Sequence, residues 1–262
     1  MSRKKDWLEP EEARHAIQHG DGEGIRVAVL DSGIDFSHPK FAEMKIGDCV
    51  SVVEENGRVR TIDDDESGDV YGHGTAVAGI IHEVAPKAEI GSFRVLDARN
   101  LSRSAIIARG VRLALNRGYD VLNCSFGCKG SVRFIMAHKQ WVDAAWLAGV
   151  HVVSACSNFD VFEPEWPAHF PTVLAVDMAR TDSGYFFFRD DAMVNFAARG
   201  EDIAVAWTGG GMKMDTGSSF AAPRVTGYLA RLLSAAPDLS PALAIDLLQR
   251  SAEQWQCNME CM

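Results

Sequence analysis

The stretch "MDTGSSFAAPRVTG" (Met214 to Gly227) sets two serines, Ser218 and Ser219, side by side after a glycine. Val225, Leu229 and Leu232 then recur at helical spacing, so the pattern predicts a helix starting at the serine pair. Pro223 is tolerated in a first helical turn. A hydroxyl there is ordinarily a cap. A helix N-terminus also offers a favourable field for negative charge, as a reacting serine needs. Whether one serine is a nucleophile depends on what the rest of the chain brings to it.

Working outward, short β-branched runs alternate with helical patterns. "IRVAVL" (Ile25 to Leu30), "EIGSFRVL" (Glu89 to Leu96), "DVLNCSF" (Asp120 to Phe126), "VHVVSA" (Val150 to Ala155) and "TVLAV" (Thr172 to Val176) read as buried strands. "DIAVAW" (Asp202 to Trp207) reads as a further one. Ser102 to Gly118 and Met136 to Gly149 read as helices closed by glycine. Strand and helix in turn predict an α/β fold: a doubly wound, mainly parallel sheet with helices on both faces. Ligands in such sheets sit beyond the carboxyl ends of the strands. Asp31, Ser125 and the Ser157-Asn158 pair all lie there.

The chain has 262 residues and a net charge of −10, which argues against a nucleic-acid partner. No run approaches the ~20 apolar residues of a membrane span. The first 24 residues are crowded with charge and hold no secretory h-region. Six irregularly spaced cysteines then read as free thiols, and the expected setting is cytoplasmic. Cys257 and Cys261 are the one pair placed to bridge or bind metal in a tail. Oligomeric state is not legible.

Asp31 in "VAVLDSGID" is by itself a turn residue. His73 in "YGHGTAVAG" stands between Gly72 and Gly74, whose missing side chains let another backbone or a substrate approach the ring. Taken with Ser219, the chain order is Asp, His, Ser, one of the known orders for a nucleophilic triad. "VAVLDSGID", "GHGTAVAG" and "TGSSFAAP" together resemble the three signature blocks of the subtilisin-like serine proteases, the subtilases. The similarity runs from about Ile25 to about Ala252.

This resemblance implies a serine endopeptidase with peptide or protein substrates. It implies a helical N-terminal extension over 1–24, a catalytic domain over 25–253 and a tail over 254–262. Ser219 matches the nucleophile; Ser218 stands where the family usually has Thr and is left as a positioning group. Asp31 and His73 complete the triad. Asn158 matches the oxyanion asparagine, with the Ser219 N–H as second donor. Ser125-Phe126-Gly127 and Ala155-Cys156-Ser157 match the segments that flank the S1 pocket, and an extended peptide is expected to pair with them.

Several positions depart from the family. Ser157 replaces a usual Gly and would narrow the pocket. Cys156 is read as a small apolar filler, reactive to thiol reagents only if it faces the pocket. The loop Phe159 to Glu165 carries Asp160, Glu163 and Glu165; a basic P1 residue is expected if one of them reaches the pocket. No calcium loop interrupts the helix after His73, so no metal or other cofactor is assigned. The acidic group Asp63, Asp64, Asp65, Glu66 and Asp69 reads first as a solvated loop and second as a cation site. Asp31 lies close to Met1, so the expectation is either a chain that folds without a prodomain, or a mature form or domain cut from something longer. Two other activities fit the same blocks: a peptide-maturation protease or transpeptidase, and a catalytically silent peptide-binding module.

Overall fold

A computed structural model describes residues 6–63, 68–129, 132–190 and 192–254. Six helices lie among them: α1 (Pro10–His19), α2 (His73–Val84), α3 (Ser104–Asn116), α4 (Val132–Leu147), α5 (Ser218–Ala235) and α6 (Pro241–Ser251). The strands are β1 (Arg26–Asp31), β2 (Lys45–Glu55), β3 (Arg58–Asp63), β4 (Glu89–Arg94), β5 (Val121–Cys124), β6 (Cys128–Lys129) and β7 (His151–Ala155). They continue with β8 (Glu165–Trp166), β9 (Leu174–Ala179), β10 (Phe186–Phe188), β11 (Phe196–Arg199), β12 (Ile203–Trp207), β13 (Gly211–Asp215) and β14 (Glu253–Gln254).

The central sheet runs β14-β10-β11-β9-β7-β5-β1-β4-β2-β3. From β11 to β2 every neighbouring pair is parallel; β3 and β10 turn back antiparallel at the two margins. Parallel strands require crossovers, and their helices cover both faces. Along β1 the pleat divides the core. Val27 and Val29 join α1, α2, α5 and α6 on one side. Ala28 and Leu30 join Ile107, Val111 and Ala114 of α3 and Trp141, Val142 and Ala145 of α4 on the other. The helix within the 1–24 segment is α1, whose Ala13 and Ile17 are fully buried against α5.

Several elements depart from the sequence expectation. The predicted "TVLAV" strand is displaced: β9 begins at Leu174, because Phe170 to Val173 form a turn closed by the Val173 N–H on the Phe170 carbonyl. "DIAVAW" is a strand, but it pairs only with β13 in a separate hairpin beside α2. α4 begins at Val132, four residues before the predicted start. Pro223 lies well inside α5, not in its first turn. The acidic residues Asp64, Asp65 and Glu66, and the tail cysteines Cys257 and Cys261, lie outside the described residues.

At the amino ends of the strands one polar cluster ties β1, β2, β4 and the residue before β5. Arg26 Nε donates to Glu89 Oε1 at 2.7 Å, and its Nη2 to Asp48 Oδ2 at 3.1 Å. The guanidinium lies 4.2 Å from the centre of the Tyr119 ring. The Tyr119 hydroxyl donates to Asp48 Oδ2 at 2.8 Å and accepts from the Asp48 N–H at 2.9 Å. Removing this buried hydroxyl leaves the Asp48 N–H unmatched and Asp48 Oδ2 with Arg26 alone. Tyr119→Phe is therefore expected to lower unfolding free energy by about 1–3 kcal/mol, read from the midpoint of a urea transition. An unchanged midpoint would contradict the role given to this cluster.

Candidate active site

The last residue of β1 and the first of α2 meet beyond the carboxyl edge of the sheet. Asp31 is fully buried. Its Oδ1 accepts the Ser32 N–H at 2.8 Å, and His73 Nδ1 lies 2.9 Å from Oδ1 and 3.0 Å from Oδ2. A carboxylate only accepts, so Nδ1 carries the proton and neutral His73 keeps its lone pair on Nε2. Burial is the largest influence on the imidazole and works to lower its pKa. The charge and hydrogen bond of Asp31, with Asp69 and Asp215 beyond, outweigh it and leave the value raised.

The glycines flanking His73 serve close packing. A methyl group at Gly74 would lie 2.0 Å from the Gly33 carbonyl oxygen. The loop after β1 therefore seats its backbone directly on α2. Gly72 has φ 116° and packs against the Trp207 indole, where a Cβ would lie 2.3 Å away.

Asp69 holds these two loops together. Its Oδ1 accepts from Ser32 Oγ at 2.7 Å, the Tyr71 N–H at 3.0 Å and the Gly72 N–H at 2.7 Å. Its Oδ2 accepts from the N–H and hydroxyl of Thr75 at 2.8 and 2.6 Å. Ser32 Oγ in turn accepts the Gly74 N–H at 3.1 Å. Asp69 is buried, so the reading that placed it in a solvated run or a cation site is corrected. Asp63, the other described member of that group, pairs with Arg117. Among the described residues no three His, Cys, Asp or Glu side chains converge as metal ligands. Sequence reasoning missed Asp69 because it grouped it with the charges before it. Its position beyond Gly68 and just ahead of Val70 and Tyr71 was the available signal.

At the start of α5 the two serines separate. The Ser218 N–H donates to Asn158 Oδ1 at 2.8 Å, and the one hydroxyl proton of Ser218 is shared between Asn158 Oδ1 at 2.8 Å and the Cys156 carbonyl at 2.7 Å. An N–H can only donate, so the Asn158 atom facing it is oxygen and the NH₂ group is turned away. Asn158 is exposed, and no described group accepts from its Nδ2. In the first turn of α5, Ser218 N–H is taken by Asn158 and Phe220 N–H by the Gly217 carbonyl. The Ser219 N–H between them has no acceptor among the described residues, as helix N-termini allow.

Ser219 Oγ donates to the Ser125 carbonyl at 3.2 Å. No hydrogen bond joins it to His73; the imidazole reaches α5 through the neighbouring Phe220 ring, 5.4 Å between centroids. Pro223 explains another link. It lacks the N–H that would bind the carbonyl four residues back, which is that of Ser219. Ser125 Oγ donates to that freed carbonyl at 3.1 Å and accepts from Asn123 Nδ2 at 3.0 Å. Asn123 Oδ1 accepts from Thr226 Oγ1 at 2.8 Å. This buried polar chain fixes the Ser125 segment against α5.

The two predicted pocket segments differ. Ser125, Phe126 and Gly127 lie between β5 and β6 without strand partners, and Gly127 is exposed. Ala155, Cys156 and Ser157 are all buried. Ala155 is in the ladder with Val176, the Cys156 N–H donates to the Val176 carbonyl, and the Cys156 carbonyl is held by Ser218. Both backbone groups of Cys156 are thus taken, so at that residue the segment forms a wall. Ser157 Oγ turns to the Phe159 N–H at 3.3 Å. Cys156 is 4% exposed, and burial, with the charge of Asp177, pushes its thiol up, away from reactivity.

With this geometry in place, the comparisons with known proteins are consistent. The sequence profile of the Subtilase family matches residues 22–260. Thermitase of Thermoactinomyces vulgaris is 29% identical over 234 residues, 85% of this chain and 80% of its own. A subtilisin-like protease of Coccidioides posadasii (strain C735) is 30% identical over 239 residues, covering 86% of this chain. The chain spans 56% of that relative's length. A cold-adapted subtilisin-like serine proteinase superposes with a TM-score of 0.71 at 27% identity, over 88% of this chain and 83% of that one. The chain belongs to the subtilase family, and its fold is that of the subtilisin-like proteases.

Gly74→Ala tests the contact between the two loops. The added methyl would meet backbone, which cannot give way cheaply. Overpacking of this kind costs about 1–3 kcal/mol. The variant is expected to melt at lower temperature and to lose at least about tenfold in labelling rate by a fluorophosphonate. Gly118→Ala, at φ 73° in open space, is expected to leave labelling unchanged. Equal labelling by all three proteins would contradict the account.

Proposed function

We propose that the chain is a serine endopeptidase in which Ser219 is the nucleophile, His73 the base, Asp31 its orienting carboxylate and Asn158 an oxyanion donor. The observation that carries this reading is the division between the two serines. Ser218 spends its N–H and hydroxyl on Asn158 and Cys156, whereas Ser219 stands half-buried with an N–H that has no partner among the described residues.

Substrate binding would turn the Ser219 hydroxyl from the Ser125 carbonyl to His73 Nε2. Apo geometry of catalytic hydrogen bonds is commonly loose and tightens on binding. Ser219 Oγ attacks the scissile carbonyl carbon as its proton passes to Nε2, and the Asp31 carboxylate stabilises the imidazolium that forms. The carbonyl oxygen, now negative, is received by Asn158 Nδ2 and the Ser219 N–H. Because Ser218 holds Asn158 Oδ1 beforehand, little reorganisation is needed as charge develops. Collapse breaks the C–N bond, and the amine leaves with the proton from His73. Water then attacks the acyl-enzyme along the same route. The thiols of Cys124, Cys128 and Cys156, unbridged among the described residues, support a reducing, cytoplasmic setting.

Ser219→Ala is expected to abolish labelling by a fluorophosphonate probe. Ser218→Ala is expected to label more slowly, since Asn158 loses one of its two tethers. Asn158→Ala is expected to reduce peptide turnover by roughly 10²–10³, the loss known for subtilisin itself. Loss of labelling in Ser218→Ala alone would reverse the assignment of the two serines, and no labelling of the parent chain would favour a silent peptide-binding module.

The raised His73 value sets the pH profile. Protonated His73 cannot act as base, so kcat/KM is expected to rise with pH through a midpoint above the ordinary 6.5. Asp215 helps raise that midpoint, so Asp215→Asn moves it down. Stability runs the opposite way: the contribution of a raised histidine is complete below its unfolded value and is lost as pH rises through the folded one. A midpoint at or below 6.5 in the parent chain would contradict the electrostatic role given to Asp31.

A further inference from the structure

The loop between β7 and β9 carries three carboxylates, and the structure gives each a different position. Asp160 is exposed, with Oδ1 accepting the Phe162 N–H at 2.8 Å. Glu163 Oε2 pairs with Lys129 Nζ at 2.5 Å. Glu165 opens β8, which pairs antiparallel with β6 in the register Lys129↔Glu165 and Cys128↔Trp166. That register folds the Glu165 side chain across Gly127. A methyl group at Gly127 would lie 2.4 Å from Glu165 Cδ and 2.6 Å from Oε2.

The Glu165 carboxyl group therefore occupies space beside the unpaired segment Ser125 to Gly127. Its charge is also felt across the gap, by Cys156 on the opposite wall and by Cys128. Both walls are anchored to the reaction centre. Ser125 exchanges hydrogen bonds with Ser219, and the Cys156 carbonyl holds Ser218. A substrate side chain entering between these walls would start beside Ser219 and approach Glu165. Phe126 and Trp166, both partly buried, pack against the core on the α3 and α4 side.

Glu165 is half-buried, yet its carboxylate accepts no hydrogen bond and forms no ion pair among the described residues. Burial is the main influence on it and raises its pKa. Lys129 opposes that, Glu163 adds to it, and His169 opposes it. Lys129, the nearest competitor, is committed to Glu163. A partly desolvated carboxylate without a partner is costly unless a cation completes it. A carboxylate set against Gly127, two residues beyond the Ser125 that bonds Ser219, suits a long aliphatic stem with a cationic head. A guanidinium fits best, because its planar fork meets a carboxylate in two parallel hydrogen bonds.

We propose that Glu165 determines specificity for the residue on the acyl side of the scissile bond, selecting Arg or Lys there. This rests on the serine-endopeptidase reading. The purified chain is assayed on tetrapeptide amides that differ only in a final Arg, Lys, Leu or Ala. In parallel it is labelled with a fluorophosphonate. The Arg peptide is expected to exceed the Leu peptide in kcat/KM by at least about tenfold. Glu165→Gln is expected to shrink that ratio about tenfold or more, and Glu165→Asp to retain part of it. Asp160→Asn, which removes an exposed charge from the same loop, is expected to leave the ratio unchanged. A parent chain that labels but prefers Leu or Ala overturns this assignment and leaves the peptidase reading standing. An equal fall in the ratio with Asp160→Asn overturns it too, assigning the preference to the general acidic field. Neither labelling nor turnover overturns the peptidase reading, and this inference with it.

Discussion

Asp69 accepts hydrogen bonds from Ser32, Tyr71, Gly72 and twice from Thr75, and in doing so it joins the end of β1 to the start of α2. A buried carboxylate persists only where its oxygens are satisfied. Bonds to a charged acceptor are also stronger than neutral ones. The two loops are consequently seated on each other tightly enough for Gly33 and Gly74 to touch through their backbones. The placement of Asp31 against His73 follows from this junction. Neither residue lies on a free loop: one ends a strand in the middle of a parallel sheet, the other begins a helix packed on α5.

The second half of the candidate site depends on α5 in a comparable way. Its N-terminus leaves backbone donors unmatched, and the chain distributes them unequally. Ser218 gives its N–H to Asn158, whereas Ser219 keeps its own. Pro223 then withdraws the partner of the Ser219 carbonyl, and Ser125 supplies the replacement. A helix cap, a proline and a buried serine thus place the proposed nucleophile, its oxyanion donors and one wall of the substrate cleft relative to one another. The wall that faces it is stiffened by Ser218 on the Cys156 carbonyl. Beside Gly127 stands the Glu165 carboxylate, which has no hydrogen-bond or ion-pair partner among the described residues.

Much of this was legible in the chain. β1, β4, β5 and β7 are short β-branched runs bounded by turn residues, and fully buried parallel strands have that composition. The blocks around Asp31, His73 and Ser219 carried the family. What escaped notice was polar or depended on long-range pairing. β3 is almost wholly exposed, and only the middle of β2, from Val50 to Val52, is buried. The sheet membership of "DIAVAW" is set by β13, whose residues are almost all exposed and carry no strand signal of their own. Asp69 was hidden by the acidic residues before it in the sequence. Asp160, Glu163 and Glu165 could not be told apart by sequence, because only the β6–β8 register decides which carboxylate crosses Gly127. The closed backbone of Cys156 likewise follows from Val176 and Ser218, both distant in the chain.

The account holds that Asp31 fixes the proton of His73 on Nδ1 before any substrate arrives. The most direct measurement is the low-field proton spectrum of the free protein, with ¹⁵N-labelled histidine to identify the ring nitrogen. A hydrogen-bonded Nδ1 proton that disappears in His73→Ala, with Nε2 unprotonated at neutral to alkaline pH, is the predicted result. A neutral His73 carrying its proton on Nε2 would contradict it.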